Sequence, residues 1–161
     1  MLNRLKNARR EYPAQFWVLF TGMLVSTIGQ SMIWLFLTLY VTKKLELPLA
    51  QSAGLVSMNA FSGLIFVFIA GPIVDRVGRK WVMVLSLVGH GLLYFAMGFA
   101  NTYLHFAVIP ILMGALTPLY RVGADAMLAD LFPAEKRNEA YSLIRMSSNA
   151  GVSIGPANGG L

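Results

Sequence analysis

The chain has 161 residues, of which 57% are hydrophobic and 12% charged, with a formal net charge of +6. Soluble domains carry roughly 25% charged residues, and a mean hydropathy of +0.63 places this chain with membrane proteins instead. The absence of cysteine excludes disulfides and thiolate metal sites. The basic residues gather at the ends of apolar runs and build no soluble basic face, which argues against a nucleic-acid partner.

The first segment, residues 1–14, carries Arg4, Lys6, Arg9 and Arg10 ahead of an apolar run. That run is too long for the apolar region of a signal peptide, about 7–15 residues, and no A-x-A-like cleavage site follows. It reads as a retained first span. Three stretches contain no Asp, Glu, Lys or Arg: Tyr12 to Thr42, Leu47 to Val74 and Trp81 to Tyr120. A membrane-crossing helix needs about 20 apolar residues. The first two stretches are one span each, and the third divides into two with a break at Asn101-Thr102. A fifth apolar run follows Glu139 and is interrupted by Arg145.

Helices satisfy their own backbone hydrogen bonds in lipid, and the strict alternation of a β-barrel is absent. The expected fold is all-α, a polytopic bundle with five transmembrane helices over 15–41, 51–74, 81–100, 103–129 and 140–161. The bundle is expected to fill residues 15–161, behind a cytoplasmic segment 1–14. Nine basic residues lie at the N-terminus and after spans two and four, against two after spans one and three. The excess of basic residues on cytoplasmic loops predicts a cytoplasmic N-terminus and a multi-pass protein of the plasma membrane. A fifth span that ends without a polar tail is expected to belong to a longer polypeptide.

Between the second and third spans stands GPIVDRVGRK. Headgroup anchoring accounts for Arg76, Arg79 and Lys80, but not for Asp75 or the glycines. A carboxylate at the membrane boundary needs a partner, and Gly78 permits a turn with positive φ. Gly71, Asp75, Arg76, Gly78, Arg79 and Lys80 match the G-x-L-A-D-R-x-G-R-R/K signature that follows the second span in major facilitator superfamily transporters, which this chain resembles. It is not a phosphate-binding loop, which needs Gly-Lys-Ser/Thr before a helix. The resemblance implies that Asp75 and Arg76, joined by Asp130 at the cytoplasmic end of span four, form a network that latches two halves of the protein in one state and releases them in the other.

In span five, NAGVSIGPANGG places Gly151, Gly155 and Gly159 four apart, a spacing suited to helix packing, and Pro156 is expected to kink the helix. Gly151, Gly155, Pro156, Gly159 and Gly160 are similar to the G-x-x-x-G-P-x-x-G-G signature of the drug/proton antiporter branch, with Asn158 departing from the usual aliphatic residue. That likeness implies efflux, and a kinked face that packs against the other half and limits leak.

Ionisable residues at membrane depth are functional candidates. Arg121 and Asp125 stand four apart on span four, and Arg145 lies early in span five. Three readings stay open for them: a structural ion pair, a proton carrier at Asp125, or lipid-facing side chains that snorkel to the interface. The family's Arg early in span four has no counterpart, since Pro110 stands at that position. Gln30, Trp34, Asn59, His90 and Asn149 complete the polar or aromatic candidates, each equally readable as an interhelical packing residue. Carboxylate pairs, nucleophile triads and metal-ligand clusters do not stand out, so no enzyme, metal or cofactor is expected. The expected activity is alternating-access transport of small molecules, proton-coupled and outward, with the lipid bilayer, a small-molecule substrate, protons and a C-terminal half-bundle as partners. Without that half the chain is expected to be inactive. An uptake symporter and a non-transporting membrane sensor or assembly protein are the alternatives.

Overall fold

The computed structural model describes residues 12–159. Arg4 to Arg10, Gly160 and Leu161 lie outside the described residues. Five helices follow in chain order: α1 Ala14–Leu45, α2 Leu49–Val77, α3 Arg79–Gly98, α4 Tyr103–Leu131 and α5 Ala134–Gly159. No strand occurs among the described residues. The break expected at Asn101-Thr102 falls in the connection between α3 and α4.

α1 to α4 are each long and apolar enough to cross a membrane. α5 does not meet that criterion among the described residues, and the reason is compositional. It begins at Ala134, earlier than expected, and so takes in Glu135, Lys136, Arg137 and Glu139. Further along it carries a polar face. Asn138, Ser142, Arg145, Asn149 and Ser153 are exposed, while Ala140, Ser147, Gly151 and Gly155 are buried. At 3.6 residues per turn these two sets lie on opposite sides of the helix. Between Asn138 and Gly155, α5 thus sets a polar row opposite its small buried residues.

Helix ends correct the expected loops. Lys43 and Lys44 stand in the last turn of α1, not beyond it. Asp75 and Arg76 belong to the last turn of α2, and Arg79 opens α3. The charged loop expected between spans two and three is reduced to Gly78 alone. Helix propagation explains this, since each residue added to an existing helix gains a backbone bond, and nothing before Gly78 terminates α2.

The residues fall into two compact units: 36–127, and 12–35 together with 128–159. In the first unit, α2 meets α4 through small and polar residues. Asn59 Nδ2 donates to the Pro110 carbonyl at 2.9 Å, and Ser62 Oγ donates to the Ile111 carbonyl at 2.7 Å. A Cβ on Gly114 would run into the Asn59 carbonyl oxygen and approach Ser62 Cβ at 3.0 Å. Pro118 has no N–H to give the Gly114 carbonyl, and a Cβ on Gly63 would stand 3.4 Å from that oxygen. The close approach therefore brings the Gly63 backbone to a carbonyl that helix bonding leaves open.

In the second unit, α1 and α5 run parallel in a constant register. Ser147 Oγ donates to the Phe20 carbonyl at 3.0 Å. One turn on, a Cβ at Gly151 would stand 3.1 Å from the Leu24 carbonyl oxygen, and a further turn on, one at Gly155 would stand 2.9 Å from that of Ile28. Ser31 Oγ returns a 3.3 Å bond to the Gly151 carbonyl. Small residues four apart let two backbones approach, and dispersion and hydrogen bonds then supply the attraction that lipid does not. Near the start of α1, Tyr12 and Phe16 stack at 4.7 Å, and both rings meet Phe132 at 5.4 and 5.5 Å. Arg137 Nε donates to the Phe132 carbonyl at 3.0 Å, fixing the turn into α5.

Candidate functional site

Gly78 joins α2 to α3 as a single residue. Its N–H donates to the Val74 carbonyl at 2.9 Å, closing α2, and its carbonyl accepts from Val82 N–H at 3.1 Å, opening α3. To serve both helices it adopts φ 92°, ψ 136°, a region that side-chain-bearing L-residues avoid. Around this hinge the charges spread. Asp75, Arg76 and Lys80 are exposed, and Gly71 and Arg79 half-buried. Arg79 Nη1 donates to the Ala126 carbonyl at 3.2 Å, in the closing turns of α4. Ala126 lies five residues before the end of α4, so Arg79 adds a bond to a carbonyl within the helix and ties the start of α3 to α4. Lys80 Nζ lies 6.0 Å from the centre of the exposed Trp81 ring. A Cβ on Gly71 would meet nothing within 4 Å, so no described neighbour requires glycine there. Asp130, exposed in the last turn of α4, belongs to the other compact unit.

Of the remaining candidates, Asn59 is committed through its amide N–H to the α2–α4 contact already described. Gln30 and Trp34 are half-buried on α1. Gly151 and Gly155 face α1, where Thr27 Cβ and Ser31 would crowd an added Cβ. Pro156 and Gly159 have helical backbone, and their side-chain surroundings, like Gly160 altogether, lie outside the described residues. Arg121 and Asp125 are exposed on α4, and Thr117, one turn before them, is exposed as well. Counted back from Leu131 at 1.5 Å per residue, Asp125, Arg121 and Thr117 sit about 9, 15 and 21 Å along the helix. Arg145, Asn149 and Ser153 make the corresponding exposed row on α5. Neither row suits hydrocarbon, since an ionised side chain at the bilayer centre costs at least about 2.5–3.5 kcal/mol per residue.

Sequence reading named neither Thr117, Ser147 nor Ser153. A spacing of four from Arg121 and from Gly151 was the available signal for the first two, and a spacing of four from Asn149 for the third. The opposite end of the first unit carries an anchor that was equally unannounced. Lys44 Nζ donates to the Ala100 carbonyl at 2.7 Å and to Tyr40 Oη at 3.2 Å, and lies 5.4 and 5.8 Å from the Tyr40 and Phe106 ring centres. It closes the C-terminus of α3.

Among the described residues, helices without strands, four of them long and apolar enough to cross a membrane, joined by short connections, define a multi-pass membrane protein. The sequence profile of the Major Facilitator Superfamily matches residues 19–161, and the chain belongs to that family. It is 24% identical over 159 residues to the uncharacterized MFS-type transporter YhjO of Bacillus subtilis, covering 99% of this chain and 40% of that protein. It is 30% identical over 144 residues to the uncharacterized MFS-type transporter YqjV of the same organism, covering 89% of this chain and 35% of that protein. It is 32% identical over 154 residues to the multidrug resistance protein MdtG of Yersinia enterocolitica, covering 89% of this chain and 36% of that protein. The chain thus spans well under half the length of these relatives.

Proposed function

We propose that the full-length protein exports small, drug-like compounds across the plasma membrane by alternating access, driven by protons, with its N-terminus in the cytoplasm. The observation that carries this reading is the exposed polar row Thr117–Arg121–Asp125 on α4, a helix long and apolar enough to cross a membrane, together with exposed Arg145, Asn149 and Ser153 on α5. Such faces suit water or a polar partner, as a transport pathway would supply. The likeness to MdtG multidrug resistance proteins supports outward transport of drugs over uptake.

In this reading Gly71, Asp75, Arg76, Gly78, Arg79, Lys80 and Asp130 make the cytoplasmic latch. Gly151 and Gly155 seat α5 on α1, and Pro156, Gly159 and Gly160 complete the motif as the face that limits leak. Arg121, Asp125, Arg145, Gln30 and Trp34 are the candidate contacts for substrate or proton, and Asn59, the remaining candidate, is held in the α2–α4 contact. A C-terminal half-bundle supplies the other wall of the transport path. Alternation of such a latch is a two-state contact, made on one side of the cycle and broken on the other.

The test is accumulation of a fluorescent lipophilic cation by cells expressing the full-length protein. Expected are reduced accumulation, restoration by an uncoupler, and failure of Asp75→Asn to export at matched expression. Equal accumulation with and without the protein rejects export. Unimpaired export by Asp75→Asn rejects the latch. A cysteine at position 79 that reacts with an impermeant reagent from outside intact cells rejects the orientation.

A further inference from the structure

At the end of the first unit away from Gly78, the close of α3 and the start of α4 leave a cleft of about 290 Å³ between them. It is lined by Ala96, Phe99, Ala100, His105, Val108 and Ile109. Each side contributes positions i, i+3 and i+4, which share one helix face. The α3 side is small at Ala96 and Ala100, which leaves the room. Phe95, Phe99, Leu104 and Val108 are exposed around it. On helices long and apolar enough to cross a membrane, such a face meets acyl chains.

Lys44 brings charge to the rim of this cleft. Its Nζ stands 2.7 Å from the carbonyl oxygen of Ala100, a residue of the wall. An ammonium has three N–H donors. The Ala100 carbonyl and Tyr40 Oη take two of them, and the Tyr40 and Phe106 rings lie near the charge. All of these partners are neutral, so one donor and the whole charge are left on an exposed side chain. From the α4 side, exposed His105 has an imidazole N–H to donate. Lys43 adds a second positive charge, and Glu46 is the one acidic residue in 36–58 and 92–115, so this end of the unit is net positive. A basic residue at headgroup depth attracts anionic lipid.

We propose that the α3–α4 cleft binds one anionic glycerophospholipid, an acyl chain lying against Ala96, Phe99, Val108 and Ile109 and the phosphate taking N–H donors from Lys44 and His105. Either feature alone is ordinary, since any apolar surface holds a lipid tail and any helix-end lysine meets a headgroup. Ala100 belongs to both, and that juxtaposition calls for a ligand with an apolar tail and an anionic head. A free phosphate would leave the apolar walls uncovered. The site does not rest on the transport reading or on which leaflet this end faces.

The test is photo-crosslinking of the full-length protein in phosphatidylcholine nanodiscs doped with phosphatidylglycerol that carries a diazirine on its acyl chain, with adducts mapped by peptide mass spectrometry. Adducts are expected to concentrate in residues 96–109 over the exposed Leu49, Ala53 and Val56 of α2, at the same end of the unit, and to exceed those of a diazirine phosphatidylcholine. Lys44→Met is expected to lower the phosphatidylglycerol yield in the cleft roughly fivefold and to leave the α2 yield unchanged, whereas Lys44→Arg keeps both. Ala96→Phe fills the cleft and retains the ammonium; it is expected to abolish adducts there, with circular dichroism at the parent's level reporting an intact fold. Equal labelling of the cleft and the α2 face, which is ordinary surrounding lipid, overturns the proposal. So does a cleft yield that neither Lys44→Met nor the change to phosphatidylcholine lowers. Loss of the cleft adducts on adding inorganic phosphate assigns the site to a free anion and overturns it as well.

Discussion

Replacing Gly78 with alanine isolates the backbone conformation of the α2–α3 junction from every other property of the residue. An added Cβ would meet nothing within 4 Å, so no steric contact enters. The N–H that closes α2 and the carbonyl that opens α3 are both retained. What remains is the cost of holding an L-residue at φ 92°, ψ 136°, about 1–3 kcal/mol for a sparsely populated region. Restricting the unfolded chain returns about 0.4–1 kcal/mol. The net expectation is a loss of about 1–2 kcal/mol, a factor of roughly 5–30 in the folded-to-unfolded ratio. The assay is reversible unfolding of the purified full-length protein in mixed micelles, followed by far-UV circular dichroism. Gly71→Ala is the matched control. It too has open space around the new methyl, but it lies inside α2, where alanine gains up to about 1 kcal/mol over glycine. A Gly78→Ala protein as stable as the parent, or less affected than Gly71→Ala, would refute the reasoning.

Other substitutions address the helix contacts. Gly114→Ala should force α2 and α4 apart, because the methyl collides with the Asn59 carbonyl oxygen, which cannot swing away; a loss of about 1–3 kcal/mol is expected in the same unfolding assay. Gly155→Val should separate α5 from α1, seen as a lengthened distance between spin labels at exposed Thr21 and Asn149, whereas Gly29→Ala, with nothing within 4 Å, leaves that distance unchanged. Lys44→Met removes the ammonium from the Ala100 carbonyl and from two aromatic faces. Earlier amide exchange at the end of α3 is expected, with about 0.5–1 kcal/mol lost overall.

Much of this arrangement was legible in the order of residues. Charge-free runs locate four of the helices, because lipid tolerates few unpaired charges and the chain places its ionisable groups at the ends. Gly78 announces its own turn, since no other residue readily takes positive φ there. The fifth helix was harder to score, as its polar row lowers the hydropathy by which a span is recognised. Asp75 and Arg76 were expected in a loop because charge was taken to mark the helix end, yet the end is set by the capping residue beyond them. Contacts between distant segments were not legible at all. The α1–α5 register follows from which backbone carbonyls stand opposite Ser147, Gly151 and Gly155, and that depends on the docking of two helices more than a hundred residues apart in sequence. Likewise, nothing in the letters around His90 says that Thr117 lies opposite it. Asn59, one of several polar candidates, found its partner at a carbonyl of a proline-containing helix, which no spacing rule specifies.

The single-residue junction has a mechanical corollary. Two rods joined through one residue, with no slack on either side, share an end point; a displacement of the end of α2 must reappear at the start of α3. Because Arg79, the first residue past that point, is hooked to α4 through Ala126, a push on the second helix would be passed on to the fourth. Three rods would then swing as one lever.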